Sequence, residues 1–90
     1  MTKAELINEI AISTGFDKTS ISVILESFMR NVKQSLANDE NVYLRGFGSF
    51  ITKHRAAKIA RDINKHTSVH VPAHRVPAFK PSAEFAAEVR

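Results

Sequence analysis

Residues 55–74 constrain the fold of this chain more than any other segment. Ala56, Ala57 and Ala60 are small, and the sizeable apolar residues are Ile59, Ile63, Val69 and Val71 alone. The polar, turn-prone run Asp62-Ile63-Asn64-Lys65-His66 interrupts two extended halves, which is the pattern of a hairpin tip. About ten residues each way, at ~3.3 Å per residue, make an arm on the order of 30 Å long. Such an arm has too few apolar groups to bury both faces, and an isolated two-stranded ribbon is marginal in water. It makes sense where a ligand supplies its other surface.

Charge says what kind of ligand. Residues 1–45 carry five Lys/Arg against six Asp/Glu, a balance of −1, whereas residues 46–90 carry eight against three, a balance of +5. The span from Lys53 to Lys80 is steeper still. It holds Lys53, Arg55, Lys58, Arg61, Lys65, Arg75 and Lys80 against one acid, Asp62, and all four histidines, His54, His66, His70 and His74. A basic segment on a near-neutral scaffold points to a polyanion, and on charge alone the alternative is a solvated basic face.

The remaining sequence is an ordinary globular scaffold of one-domain size, 90 residues with 43% hydrophobic residues. With no cysteine, disulfides, thiolate metal sites and thiol nucleophiles are excluded. No apolar run approaches the roughly 20 residues needed to span a bilayer. The start, Met1-Thr2-Lys3-Ala4-Glu5, has no signal-like apolar region behind it, so a soluble cytoplasmic chain is expected.

Thr2-x-x-Glu5 is a capping box that opens a helix carrying Leu6, Ile7, Ile10 and Ala11, and Gly15 suits a left-handed stop. Asp17 is the next expected N-cap. Ile21, Ile24, Leu25, Phe28, Met29, Val32 and Leu36 then form one apolar stripe to about Ala37, read as helix-on-helix core. Asn38-Asp39-Glu40-Asn41 is a turn, followed by β-prone Val42-Tyr43-Leu44 and Ser49-Phe50-Ile51-Thr52. Gly46 and Gly48 let the backbone bend around Phe47, and they match no phosphate-cradling glycine pattern. Val76, Pro77, Ala78 and Phe79 return to the core, and Ser82 caps a short final helix through Phe85, Ala86 and Val89.

Three segments carry a resemblance. Arg45-Gly46-Phe47-Gly48-Ser49-Phe50, then Arg55-Ala56-Ala57, then Val71-Pro72-Ala73-His74-Arg75-Val76-Pro77-Ala78-Phe79-Lys80-Pro81 are similar to the HU/integration-host-factor family of bacterial DNA-bending proteins. The resemblance implies an α+β fold: two N-terminal helices, a three-stranded antiparallel sheet with a long β-ribbon arm, and a short C-terminal helix. It implies a single domain spanning 1–90, with 1–54 and 75–90 as the dimerisation body and about 55–74 as the DNA-binding arm. The dimer is expected to be an intertwined homodimer with Phe28, Phe47, Phe50 and Phe79 in its core.

Carried over residue by residue, the phosphate and groove contacts fall on Lys53, Arg55, Lys58, Arg61, Lys65, Arg75 and Lys80, and Lys3, Asn64, His66, His70 and His74 are expected DNA contacts beside them. Ile63 takes the position of the family's intercalating proline. The usual tip reads R-N-P-x-T-G, and here Arg61-Asp62-Ile63-Asn64-Lys65-His66 stands in its place, so the tip turn must differ. Isoleucine is among the side chains that can unstack a base step.

The expected function is sequence-nonspecific binding and bending of double-stranded DNA, with the arms in the minor groove, organising the bacterial nucleoid. The alternatives are a site-specific architectural factor like integration host factor, reading deformability, and a module that embraces protein instead of DNA. An enzyme is not expected, because the arm's one acid is Asp62 and no nucleophile-and-base set is gathered. No cofactor or small-molecule substrate is expected. His66, His70 and His74 are four apart, but a strand separates such residues by ~13 Å, too far for one metal ion.

Overall fold

The structure is a computed structural model. It describes residues 1–62 and 67–90, and the side chains of all of these except 60–62 and 67–69. Eight elements follow in order: α1 (Lys3–Thr14), α2 (Lys18–Ala37), β1 (Val42–Leu44), β2 (Gly48–Arg55), β3 (Lys58–Asp62), β4 (Thr67–Val71), β5 (His74–Pro81) and α3 (Ala83–Val89). The backbone divides into two compact units, Met1–Gln34 and Ser35–Arg90.

The first unit is helical, and its boundaries follow local chemistry. Thr2 caps α1 by accepting from Glu5 N at 3.2 Å, and the Glu5 carboxylate accepts from the Thr2 hydroxyl at 3.3 Å. Gly15 closes α1 at φ 79°, donating its N–H to Ala11 O. Asp17 then caps α2, its Oδ1 accepting from Ser20 N at 2.9 Å and its Oδ2 from the Ser20 hydroxyl at 3.0 Å. Ile7 and Ile21 are buried here. Beside them runs an apolar cleft of about 340 Å³ lined by Ile10, Phe16, Ser20, Ile21, Ile24, Leu25 and Phe28.

The second unit begins with the last turn of α2. Asp39 N donates to Leu36 O and Glu40 N donates to Ser35 O, the paired bonds of a Schellman stop. That stop needs a left-handed residue, and Asp39 fills the place at φ 63° without being glycine. The chain then forms a three-stranded antiparallel sheet in the order β1-β2-β5. Val42 stands opposite Phe50, and β2 pairs with β5 from Gly48↔Pro81 to Arg55↔His74. Pro77 and Pro81 lie in β5, an edge strand, where a missing N–H is tolerated.

The expected arm is a single ribbon, and the structure divides it. β3 and β4 pair as a separate two-stranded sheet from Lys58↔Val71 to Asp62↔Thr67. Ala56-Ala57 and Pro72-Ala73 interrupt the ladder between the two sheets. Pro72 lacks the N–H that a continuous ladder would use, which accounts for the break.

One face of the three-stranded sheet gathers aromatic rings. Phe50 and Phe79, directly opposite each other, have centroids 5.0 Å apart, and Phe47 lies 5.1 Å from Phe79. Phe85 of α3 joins them at 5.3 Å from Phe47 and 6.0 Å from Phe79. Ser82 secures this arrangement. Its hydroxyl donates to Gly46 O at 2.9 Å and accepts from Phe85 N at 3.1 Å, while its N–H donates to Phe47 O at 2.9 Å. Capping α3 and fixing the Gly46-Phe47 turn are thus one residue's work.

Candidate nucleic-acid interface

Register decides which cations share a surface. Residues directly opposite in an antiparallel pair point to the same face, and neighbours along a strand alternate. Lys53 faces Val76, Arg55 faces His74, and Ser49 faces Lys80. Lys53, Arg55, His74 and Lys80 therefore occupy one face, together with Ser49, Ile51, Val76 and Ala78. All four basic side chains are exposed. Tyr43, opposite Ser49, extends the same face across β1 and is exposed as well. No carboxylate lies on this face among the described residues.

The β3–β4 ribbon adds one described cation and one histidine. Lys58, opposite Val71, and His70, opposite Ile59, are exposed, and so is Ile59. The backbone of Arg61 pairs with Ser68. Ile63, Asn64, Lys65 and His66 lie outside the described residues, so the expected wedge and tip contacts do too.

Two of the expected contact residues are engaged elsewhere. Lys3 pairs with Glu26 across the two helices of the first unit, and this pairing holds the Glu26 carboxyl below its ordinary range. Arg75 is directly opposite His54, on the aromatic face of the sheet. Its guanidinium lies 3.1 Å from Asp39 Oδ1 and donates to Leu36 O at 3.4 Å and Ala37 O at 3.3 Å. The Asp39 carboxylate also accepts from the Thr52 hydroxyl at 3.2 Å. Arg75 and Thr52 together hold the Asp39 carboxyl below its ordinary range.

Of the expected dimer-core residues, Phe47, Phe50 and Phe79 meet in the aromatic cluster, and Phe28 lines the cleft of the helical unit. The cluster's fourth member, Phe85, escapes a reading of strands alone. The signal for it was Ser82, whose cap places Phe85 in the first turn of α3 facing the Gly46-Phe47 turn. His74 Nδ1 lies 2.8 Å from Pro72 O, and no group of three possible metal ligands occurs among the described residues.

A small helical unit, a three-stranded sheet with one cationic face and a two-stranded extension carrying Lys58 make a scaffold suited to a polyanion. The family model of bacterial DNA-binding proteins matches residues 1–90. The chain belongs to this family, that of HU and integration host factor. It is 38% identical over 90 residues to the integration host factor subunit beta of Marinobacter nauticus, covering 99% of this chain and 92% of that protein. It is 33% identical to the DNA-binding protein HU of Thermus thermophilus, covering 90% of this chain and 84% of that protein. Among solved structures, a cocrystal of Anabaena HU with DNA matches at a TM-score of 0.93 with 29% identity, covering 99% and 97% of the two chains. HU from Thermotoga maritima matches at 0.70 with 27% identity over the full length of both. No helix among the described residues is long and apolar enough to cross a membrane.

Proposed function

We propose that this protein binds and bends duplex DNA without reading its sequence, as a homodimer that organises the bacterial nucleoid in the cytoplasm. The observation that carries the reading is the sheet face bearing Lys53, Arg55, His74 and Lys80 with no opposing carboxylate. Such a face meets phosphates through charge and counterion release, which is insensitive to base identity. Residues 1–54 and 75–90 act as the dimerisation body, and residues 55–74 act as arms that follow the minor groove. Lys58, Arg61, Asn64, Lys65, His66 and His70 line each arm, and Ile63 unstacks a base step at its end. The family membership and the likeness to a DNA-bound HU support the same reading.

What a single chain leaves uncovered supports the homodimer. Ile7, Ile21 and Leu36 are the buried hydrophobics among the described residues, while Phe47 remains 44% and Phe79 38% exposed. Ile24 and Phe16 of the helical unit are each 69% exposed. A second copy covers these surfaces, and the shared aromatic core supplies the burial that 90 residues with an idle arm lack.

A salt-titrated gel shift on intact, nicked and random-sequence duplexes tests the reading. The six cations Lys53, Arg55, Lys58, Arg61, Lys65 and Lys80 are doubled in the dimer. Half of them on phosphates gives a log–log slope steeper than about −4. Affinities should differ little between sequences. A slope near −1 overturns the interface, and a strong preference for one duplex moves the function to site-specific binding.

A further inference from the structure

We propose that Arg75 is a positioning residue that ties the root of the DNA-binding arm to the last turn of α2, so that this tie sets how far bound DNA is bent. The inference rests on the DNA-bending reading above. Helix ends expose unpaired carbonyls and a partial negative charge, which a cation relieves. The last turn of α2, ending Ser35-Leu36-Ala37, holds no basic residue. Its cation comes from β5 instead. Arg75 reaches both the Leu36 and Ala37 carbonyls and the Asp39 carboxylate, using the planar fork that lysine lacks.

The anchor point is itself built. Asp39 sits at the left-handed position of the Schellman stop, where glycine is the usual occupant. From there its Oδ1 receives both Arg75 and the Thr52 hydroxyl, and Asn41 Oδ1 accepts from Thr52 N at 3.4 Å. Thr52 lies on β2 and Arg75 on β5, and both strands end within three residues as the ladder breaks at Ala56-Ala57 and Pro72-Ala73. The tie therefore grips the strand pair just before the arm departs. Arg75 also faces away from Lys53, Arg55, His74 and Lys80. Its charge is committed to the helix end, and those of Lys53, Arg55 and Lys80 on the opposite face are left for phosphate.

The test compares the parent with Arg75→Gln, Asp39→Asn and Arg75→Lys. Asparagine tolerates the left-handed backbone, so Asp39→Asn removes the charge without a new strain. At a temperature where circular dichroism shows every variant folded, each protein saturates a duplex labelled at both ends for energy transfer. Arg75→Gln and Asp39→Asn should both lower transfer toward the free-duplex value, with Arg75→Lys between them and the parent. The salt slope should stay within about 0.5 of the parent's. A direct phosphate contact predicts the opposite pattern: losing Arg75 from both protomers cuts the slope by ~1.8, and Asp39→Asn tightens binding by freeing a cation. That pattern, or parental bending by both folded variants, overturns the proposal. Amide exchange at residues 74–76 without DNA should quicken in both variants. If the parent itself leaves the duplex straight, the bending function fails on its own, and unchanged exchange would then overturn the tie separately.

Discussion

Gly48 lies beneath the ring of Phe79. A Cβ placed on Gly48 would stand 2.6 Å from Phe79 Cζ and 2.6 Å from the Lys80 carbonyl oxygen. The missing side chain is what lets β2 start directly under the aromatic cluster, with Leu44 opposite Gly48 on one side and Pro81 on the other.

Gly48→Ala should consequently destabilise the fold. A backbone carbonyl within a paired strand cannot retreat as a flexible side chain can, so the added methyl displaces Phe79 from Phe50 and Phe47. Overpacking of this kind costs about 1–3 kcal/mol. Denaturant titration of parent and variant measures it directly. An unchanged midpoint would mean that the strand pair yields without cost.

Acid should weaken the fold through three carboxylates. Asp17 is lowered by its bonds from Ser20, Glu26 by Lys3, and Asp39 by Arg75 and Thr52. A depressed folded-state pKa means that the unfolded chain takes up protons first as pH falls. The stabilisation is therefore complete above the ordinary carboxylate value near 4 and disappears as pH drops through the lower folded values. Asp39→Asn should be less stable than the parent at pH 7, and the two should converge below about pH 3. A gap that persists at low pH would show that the Asp39 charge contributes nothing.

The arm tip should govern bending more than affinity. Phosphate contacts position a protein on DNA, whereas an apolar wedge produces the kink. Ile63→Ala should reduce the bend while leaving most binding in place. Arg61→Ala should weaken binding on all sequences alike and lower the salt slope by roughly 2 per dimer. Identical energy transfer for Ile63→Ala and the parent would remove Ile63 from the wedge role.

The protein should be a dimer at micromolar concentration. Light scattering is expected to give a mass near twice the 10.0 kDa of one chain. Phe79→Ala, which removes the central ring of the aromatic cluster, should lower both the mass and the thermal midpoint. A folded 10 kDa parent would refute the shared core.

The parts of this fold legible in the sequence are those whose physics is local. Thr2, Asp17 and Ser82 each satisfy a helix start within three residues, so hydroxyl or carboxylate, spacing and apolar stripe suffice to place α1, α2 and α3. Gly15 ends α1 for an equally local reason. The basic character of the Lys53–Lys80 span is likewise a property of the residues themselves, and with the Gly46-Phe47-Gly48 and Val76–Lys80 segments it pointed to the family.

Sidedness was decided by tertiary structure. Arg75 and His74 are neighbours in a basic run and look equivalent, yet the β2–β5 register sends His74 to the cationic face and Arg75 to the helix end. A one-residue slip of that register would exchange them. Nothing near Arg75 in sequence announces Asp39 or the open carbonyls of Leu36 and Ala37, which arrive only when the chain closes on itself. Phe85 enters the aromatic cluster for the same reason, through a capping serine that also holds a distant turn. Composition sets which charges a chain carries; long-range pairing sets which of them face a ligand and which hold the scaffold.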